Sequence, residues 1–460
     1  MAIETWCCGG RHIQLLLLVL CVIIEQGLQQ AFRVSIYLVQ VKNPNNVTLF
    51  DDPFRQVIES WNNEQKAIVT NSRIVLVFLS SAVSGFLTLK INLKWFLLVI
   101  MAALTCIVYV SPQITVYGDF DYVLATVIVM SFLHGLIDPV LVALLARWTP
   151  RTELGRTVPL AFTVNFIAES CMFLLYNFLE RAAASWVSLF YLMGNTGILW
   201  CVAWFTFGSQ NPDRCFYVSL REKNFILSNM MVSSLHKKLS IPWSMILKSP
   251  QFYGVLLAHI CFQWMYRLMF NTGFFQSFAF SQGVGYTFST YIGYFSALFL
   301  IPFVQIGVGL VGDLIVKRSK YPARYVRKTF NSIAFWGGSV FLLLCCYDGT
   351  SLLFDIVVAS CFGQLSSAAY QGVHLTYFDM DRAYSGFIYG LVQFFALIPL
   401  AYVNSIFPAF MKTLAVASPE LNDRFDIIWF SGSYLLFFGN FFYVIMADDE
   451  SRPIIPCSSN

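Results

Sequence analysis

The sequence predicts an all-α membrane protein with about twelve transmembrane helices arranged in two six-helix halves. Of its 460 residues, 57% are hydrophobic and only 12% are charged, whereas an average soluble domain carries about 25% charged residues. Apolar runs of about 20 residues, the length that lets a helix cross the hydrocarbon core of a bilayer, recur along nearly the whole chain. The lipid bilayer is therefore the expected solvent of most of these helices.

The order of the apolar runs predicts the two halves. The first run, from Ile13 to about Leu38, has no small-residue cleavage site, so it predicts a retained helix rather than a removed signal peptide. The other predicted spans lie at about 68–89, 95–111, 122–146, 157–179 and 186–208, and then at about 252–278, 286–315, 330–347, 352–375, 384–411 and 426–447. This arrangement predicts an N-terminal half at 1–208, a linker at 209–245 and a C-terminal half at 246–460, as in two-halved transporters.

Basic residues concentrate in loops that twelve spans place on one side of the membrane. They follow the fourth span (Arg147, Arg151, Arg156), lie in the linker (Arg214, Arg221, Lys223, Lys237, Lys238) and follow the eighth span (Lys317, Arg318, Lys320, Arg324, Arg327, Lys328). The positive-inside rule predicts that this side and both termini are cytosolic. The loop from Val41 to Lys66 then lies on the other side, where Asn46-Val47-Thr48 is an acceptor tripeptide for N-glycosylation.

Several function classes receive no support from the sequence. The net charge is only +4 and the basic residues sit in short loops, so nucleic acid is not an expected partner. Most of the twelve cysteines fall inside apolar runs, which predicts no disulfide framework. No kinase, nucleotide-binding, zinc or nucleophile-elbow pattern occurs in a credible context, so neither an enzyme nor a cofactor or metal is expected.

Short motifs in several spans point to one family. They are, in chain order, Arg147-Trp148-Thr149-Pro150-Arg151-Thr152-Glu153-Leu154-Gly155-Arg156; Trp186, Phe190-Tyr191, Gly194, Gly197 and Trp200; Gly309 and Asp313; Val326-Arg327-Lys328 with Asn331; and Asp379 with Tyr384. Together they resemble the signatures of the anion:cation symporter family of the major facilitator superfamily, which includes sialin, vesicular glutamate transporters and sodium-phosphate cotransporters. The resemblance spans nearly the whole chain.

The resemblance implies a secondary transporter that moves a small organic or inorganic anion, driven by a proton or sodium gradient and expected to act as a monomer. It places a substrate-contacting arginine at Arg33, since Arg33-Val34 is similar to the first-span motif of the family. The acidic residue of the family's fourth span falls at His134, and the arginine of its seventh span falls at Phe262. Because these positions differ, the substrate of an individual member is not inherited.

Polar residues in the first span predict part of the substrate site. Gln26, Gln30, Arg33 and Tyr37 are spaced so that they share one helical face. The guanidinium group of Arg33 suits a carboxylate or a phosphate. Two interpretations stay open for Arg33: direct contact with the anion, or an internal ion pair with Glu25 or with an acid of another span.

Ionisable residues in the fourth and fifth spans are the candidates for ion coupling, because such residues are costly to bury in a membrane. His134 and Asp138 lie one turn apart, so they form either a proton relay or a hydrogen-bonded contact that holds the bundle together. Glu169 follows Asn165 by one turn. It is interpreted either as a compensating acid for an arginine or a proton, or as part of a structural pair.

The second half supplies the remaining candidates. His259, Gln263 and Arg267 lie along one side of the seventh span, and Arg267 either replaces the missing arginine or reaches to the interface. In the tenth span Gln364, Tyr370, Gln371 and His374 either line the substrate cavity or hold helices together.

Two charged pairs are predicted to act as conformational latches on the cytosolic side. These are Glu153 with Arg156 and Asp313 with Arg327. The alternative for both pairs is a solvated charged face. The sequence as a whole predicts an integral membrane anion transporter of the plasma membrane, an endomembrane vesicle or the lysosome. The alternative is a transporter-like receptor or scaffold that does not transport.

Overall fold

The computed structural model describes residues 9–41, 53–181, 187–228, 241–270, 288–318, 322–344, 352–396 and 422–447. Within these ranges the regular secondary structure is entirely helical. The first half holds α1 (Gly10–Val41), α2 (Pro53–Ser60), α3 (Asn63–Thr88), α4 (Leu93–Tyr117), α5 (Phe120–Trp148), α6 (Leu154–Thr163), α7 (Asn165–Arg181) and α8 (Val187–Phe207). The linker holds α9 (Leu220–Ser228) and α10 (Trp243–Lys248).

The second half continues with seven described helices. They are α11 (Pro250–Phe270), α12 (Phe288–Arg318), α13 (Ala323–Leu344), α14 (Leu352–Ser366), α15 (Val373–Met380), α16 (Ser385–Ala396) and α17 (Asn422–Met446). Six stretches of the described chain are long and apolar enough to cross a membrane: Gly10–Ala31, Leu93–Tyr117, Phe120–Trp148, Val187–Phe207, Phe299–Arg318 and Trp429–Met446. The predicted all-helical membrane fold is confirmed.

The predicted fifth span is not one continuous helix. It divides at Val164 into α6 and α7. Pro159 has no backbone N–H to donate, and the Thr163 hydroxyl donates to the Pro159 carbonyl at 2.9 Å, a local bond that often bends helices. The break places Asn165 at the start of α7.

The predicted tenth span is also divided. A short 3₁₀ turn, Ser367–Tyr370, separates α14 from α15. At the start of α15 the Asn331 side chain accepts the Val373 N–H at 3.2 Å, so a buried backbone donor at the break has a partner. Only a glycine fits at Gly372, because a Cβ atom there would lie 2.9 Å from the Cα of Asn331.

The motif of the sixth span serves packing. A side chain on Gly194 would lie 2.7 Å from the Tyr109 ring of α4, and one on Gly197 would lie 2.8 Å from the Thr105 methyl group. The indole N–H of Trp200 donates to the Leu17 carbonyl of α1 at 2.9 Å. The two glycines therefore let α8 approach α4 closely, and Trp200 joins α8 to α1.

The start of α1, the loop between α5 and α6, and the linker meet at one end of the helix bundle. We call this the linker end; it is the end that the charge distribution predicts to be cytosolic. The Trp148 indole donates to the Ser209 carbonyl at 2.9 Å, and Glu222 of α9 accepts the backbone N–H groups of Gly10 and Arg11 at 3.0 Å each. The linker is thus held against the first half.

Candidate functional site

A buried acid–histidine pair joins α1 to α5. Glu25 is 2% exposed, and its carboxylate contacts Nδ1 of His134, whose side chain is 15% exposed. The sequence placed Asp138 beside His134, on the same helix. The structure adds Glu25, which is 109 positions away in sequence, as the carboxylate in direct contact. Asp138 lies half-buried on α5, one turn further on.

For the other predicted site residues of the first half, the structure describes some side chains and only the backbone of others. Gln30 is buried on α1 and Glu169 is half-buried on α7. Arg33 and Tyr37 belong to the backbone of α1, but their side chains lie outside the described residues, as does the side chain of Arg267 in α11. Asn46 lies outside the described residues altogether.

A cluster of buried histidine, tyrosine and glutamine side chains occupies the second half. His259 of α11 is fully buried. Its Nε2 lies 2.7 Å from the side-chain oxygen of Gln393 on α16, and its Nδ1 lies 2.9 Å from the hydroxyl of Tyr377 on α15. The Gln263 amide donates to Gln393 at 3.2 Å. We call these residues, with His374 and Tyr370, the histidine cluster.

The histidine cluster reaches the first half through Phe162 of α6. The Phe162 ring stacks on Tyr370, with ring centres 5.8 Å apart and an interplanar angle of 15°. Its centre lies 5.5 Å from that of His374. Tyr370, predicted as a substrate residue, is 5% exposed, and Gln364, the other predicted residue of this span, is half-buried on α14. Tyr370 therefore lies between the halves.

Two polar side chains near this interface have unsatisfied atoms within the described part of the chain. His374 is 1% exposed, and its Nδ1 has no hydrogen-bond partner. Gln305 of α12 is fully buried, and neither atom of its amide has a partner. A buried polar group without a hydrogen bond costs about 1–3 kcal/mol. Such groups are typical of sites that bind a ligand or change partners.

The halves meet at the linker end in two seams. In the α6–α12 seam, Asp313 of α12 accepts the backbone N–H groups of Gly155 at 2.8 Å and Arg156 at 3.2 Å. These donors belong to the first turn of α6, where N–H groups lack helical partners and the helix dipole favours a negative charge. Asp313 therefore binds the start of a helix in the other half.

Pro159 leaves a backbone carbonyl of α6 free to accept a second hydrogen bond across the α6–α12 seam. In a regular helix the Gly155 carbonyl would accept the N–H of residue 159, but proline has none. The side-chain amide of Gln371 donates to this carbonyl instead. Gly309 permits the close approach, since a Cβ atom there would lie 2.5 Å from the same carbonyl oxygen and 2.7 Å from the Cα of Arg156.

Among the residues that the structure describes, the α3–α16 seam shows no such polar contact between a side chain and the start of a helix. A Cβ atom on Gly390 of α16 would lie 2.5 Å from the Ser81 carbonyl and 2.9 Å from the Cα of Gly85. The Phe86 and Phe387 rings meet with centres 5.2 Å apart. The seam continues onto α5, because a Cβ on Gly386 would lie 2.6 Å from the Pro139 carbonyl.

The predicted Glu153–Arg156 pair is present at 2.7 Å, but it belongs to a larger network. Arg11 of α1 donates to both oxygens of Glu153, at 3.2 and 3.1 Å. Arg11 also lies 3.5 Å from Glu222 of the linker. Glu153 is only 2% exposed, and the contacts with Arg11 and Arg156 compensate its buried charge. The network, rather than the Glu153–Arg156 pair itself, connects the first half to the linker through Arg11 and Glu222.

The predicted Asp313–Arg327 pair interacts through its charges, and the direct hydrogen-bond partners of both residues are other groups. The Nε of Arg327 donates to Asp379 at 3.0 Å, while Asp313 is bound by the amides of α6. Arg327 and Asp379 both belong to the second half, so their ion pair stabilises that half internally. Of Asp313, Arg327 and Asp379, only Asp313 makes a hydrogen bond to the other half.

Sequence reasoning named His259 and His374 but did not connect them, and it missed Gln305 and Gln393. The spacing of polar residues along one helix indicates a shared face. It gives no information on which face of another helix lies opposite. Within the described chain no group of three or more histidine, cysteine or acidic residues is arranged to hold a metal ion.

Two packed sets of apolar helices, meeting at one end around buried polar side chains, define the class of protein: a polytopic membrane protein. Residues 19–404 match the model of the Major Facilitator Superfamily. The chain belongs to this superfamily, whose members are known as transporters rather than enzymes. It can be superposed on the proton:xylose symporter XylE with a TM-score of 0.68 at 12% identity, over 96% of this chain and 98% of XylE; this likeness concerns the fold alone.

Relatives at low identity agree with the motifs. Human sialin is 22% identical over 408 residues, which cover 85% of this chain and 77% of sialin. A Drosophila ananassae relative that bears the name of an inorganic phosphate cotransporter is 23% identical over 72% of this chain and 71% of its own length. A Caenorhabditis elegans relative bears the name of a vesicular glutamate transporter, eat-4, with 24% identity over 72% of this chain and 56% of its own. The predicted family resemblance is confirmed.

Proposed function

We propose that this protein transports a small organic or inorganic anion by alternating access and couples the transport to protons through Glu25 and His134. The observation that carries the coupling is their buried contact between α1 and α5. An ionisable pair inside a membrane domain is costly to maintain, and such residues commonly form proton pathways. Histidine is suited to this task because its ordinary pKa lies near neutral pH.

The substrate path is proposed to run between the halves. Arg33, Gln30 and Tyr37 of α1 would face it from the first half, and Arg267, Gln364 and Tyr370 from the second. A guanidinium group binds a carboxylate or phosphate with a bidentate fork. The stack of Phe162 on Tyr370 supports this path, because Phe162 belongs to the first half and Tyr370 to the second. The described structure corresponds to a state closed at the linker end.

Uptake into proteoliposomes tests the proposal. The purified full-length protein is reconstituted, and uptake of inorganic phosphate, glutamate and sialic acid is measured with and without an inward proton gradient. We expect at least one anion to accumulate faster with the gradient. Arg33→Lys should lower uptake while leaving the amount of folded protein unchanged, since lysine keeps the charge but lacks the fork. Arg214→Lys, in the exposed part of the linker, is the matched control.

The pH dependence of uptake tests the coupling pair separately. Glu25→Gln and His134→Gln should each flatten the uptake-versus-pH curve, and the double variant should add little, because residues in one pair act as a unit. Asp138→Asn distinguishes the two carboxylates near His134. A wild-type pH profile in both single variants would show that Glu25 and His134 only hold α1 to α5. Absence of uptake for every anion would favour the receptor or scaffold alternative.

A further inference from the structure

A row of aromatic side chains runs from the end of α8 onto the linker. The outer surface of α8 is apolar and exposed, as at Leu199 and Val202, and its last residue, Phe207, is exposed as well. The Phe207 ring centre lies 6.4 Å from that of Tyr217, whose hydroxyl donates to the Phe207 carbonyl at 2.7 Å. The Tyr217 ring in turn meets that of Phe216, with centres 5.0 Å apart. Nothing in the transport proposal uses these side chains.

The start of α4 and the end of α8 mark the boundary of the membrane at the linker end. Trp95 of α4 is exposed, and its ring centre lies 5.8 Å from that of Phe205 on α8. Nζ of Lys94 lies 5.4 Å from the centre of the Trp95 ring. Tryptophan is enriched at membrane–water interfaces, and lysine extends its charge from there into water. Phe207 follows Phe205 by only about 3 Å along the helix axis, so the aromatic row leaves α8 at the level of this boundary.

The linker segment that carries Phe216 has a packed inner side and an apolar outer side. Cys215 and Val218 form a buried cluster with Trp148 at the end of α5. In contrast, Phe216 is 80% exposed and Leu220, the first residue of α9, is 75% exposed. Within the described chain, therefore, two large apolar side chains next to the membrane boundary are left largely uncovered. Such exposed apolar side chains are typical of a surface that contacts a partner or a membrane.

The charges of this segment suit a lipid surface. Asp213 and Arg214 are adjacent and of opposite sign. Glu222 is directed inward, since it accepts the backbone N–H groups at the start of α1. Arg221 is exposed and Lys223 is half-buried. The segment thus has a small excess of positive charge, and basic side chains are attracted to the phosphate level of a leaflet.

We propose that Phe216 and Leu220 insert into the lipid leaflet at the linker end and anchor the start of the linker to the membrane surface. Apolar side chains of such interfacial segments reach about 5–10 Å into the boundary between headgroups and acyl chains. The continuity of the aromatic row with the exposed surface of α8 supports lipid as the occupant. Because the inner side of the segment packs on the first half, the anchor fixes the linker beside that half.

Photocrosslinking of the full-length protein in nanodiscs of phosphatidylcholine and phosphatidylglycerol tests the anchor. The photoreactive p-benzoylphenylalanine replaces Phe216 or Leu220 in separate variants, and mass spectrometry identifies the group to which it attaches. We expect lipid adducts at both positions, as in a reference variant at Phe205. The exposed position Asp213 is the control and should give no lipid adduct. Adducts of Phe216 and Leu220 with a second protein or with another segment of this chain, or no adducts there while Phe205 reacts with lipid, would overturn the proposal.

Hydrogen exchange in the same nanodiscs tests the anchor without a photoreactive group. The double variant Phe216→Ser with Leu220→Ser should make a peptide spanning residues 209–228 exchange about tenfold faster, because a segment that loses its contact with lipid opens more often. Asp213→Ser keeps both apolar side chains and should exchange like wild type. Peptides from α8 should stay protected in every variant, which shows that the helix bundle is folded. Wild-type exchange of the linker peptide in the double variant would refute the anchor.

Discussion

The α6–α12 and α3–α16 seams close the same end of the helix bundle with different chemistry. Both depend on a glycine that lets a helix of one half touch the backbone of the other, Gly309 in the first seam and Gly390 in the second. In the α6–α12 seam Asp313, one turn after Gly309, binds the start of α6. The α3–α16 seam has a second glycine at the contact, Gly85 of α3, and the residue one turn after it, which we compare with Asp313, is the uncharged Leu89.

This difference separates two roles, of which the seams share only the first. Close packing of glycines fixes how near the halves can approach, and it does so in both seams. The carboxylate adds a charge-dependent contact that is made only when the halves are together, and it does so in one seam. The first role is set by shape and the second by electrostatics, so each is open to a separate test.

The largest expected effect comes from filling the glycine contacts. Gly309→Ala and Gly390→Ala should each destabilise the protein by about 1–3 kcal/mol, the usual cost of overpacking, because the new methyl group would meet backbone atoms at 2.5 Å. Thermal unfolding of the purified protein measures the loss. Gly307→Ala on the same helix is the control, since no atom lies within 4 Å of its Cβ position. Equal melting temperatures for Gly307→Ala and Gly309→Ala would show that the seam is not tightly packed.

The next largest effect is expected from a variant that weakens the polar contact of the α6–α12 seam. Asp313→Asn keeps an acceptor oxygen but removes the charge that binds the Gly155 and Arg156 amides, so it should cost about 1–1.5 kcal/mol, the difference between a charge-assisted and a neutral hydrogen bond. Hydrogen exchange of a peptide spanning residues 150–160 should become about tenfold faster or more. Peptides from α16 should exchange as in wild type. Unchanged exchange at the start of α6 would mean that Asp313 does not hold the seam closed.

The fold could be predicted from the sequence, but the contact partners of residues such as Asp313 and His134 could not. Apolar run length and charge asymmetry depend on each segment alone, so the helical membrane fold could be predicted from them. The partner of Asp313 is a pair of backbone amides. Because all residues except proline carry a backbone N–H, the residue types at these positions do not indicate the contact. His134 pairs with Glu25 across two helices, and the order of residues on one helix cannot show this. The breaks at Val164 and Ser367 depend on local hydrogen bonds that compete with the helix.

A gain-of-contact variant sharpens the comparison. Leu89→Asp places a carboxylate in the α3–α16 seam at the position that corresponds to Asp313. A negative charge near a helix start contributes about 0.3–1 kcal/mol at an exposed site, so hydrogen exchange at the start of α16 should become a few times slower. Leu89→Asn has the same size without the charge and should show no slowing. Faster exchange in Leu89→Asp than in Leu89→Asn would contradict the proposed equivalence of the two positions.

The smallest effect concerns Asp381, an acid of the loop that leads into α16. It lies in the loop that precedes α16 in the same half and accepts the Ala383 N–H, so this hydrogen bond stabilises the loop and does not cross between the halves. Burial raises its pKa above the ordinary value of 3.8, and hydrogen bonds from the Ala383 and Tyr384 amides only partly oppose this. The folded state therefore binds the proton more tightly than the unfolded state. Its contribution to stability is complete below pH 3.8 and is lost as the pH rises through the raised pKa.

Asp381→Asn should consequently stabilise the protein relative to wild type at neutral pH and lose this advantage at pH values below 3.8, where wild-type Asp381 is protonated in both states. Melting temperatures of the two proteins over this pH range measure the difference. Asp213→Asn, at an exposed position of the linker, is the control and should show no such trend. If Asp381→Asn is less stable than wild type at neutral pH, the ionised carboxylate stabilises the start of α16 more than its burial costs. The loop that leads into α16 would then resemble the α6–α12 seam in depending on a charge.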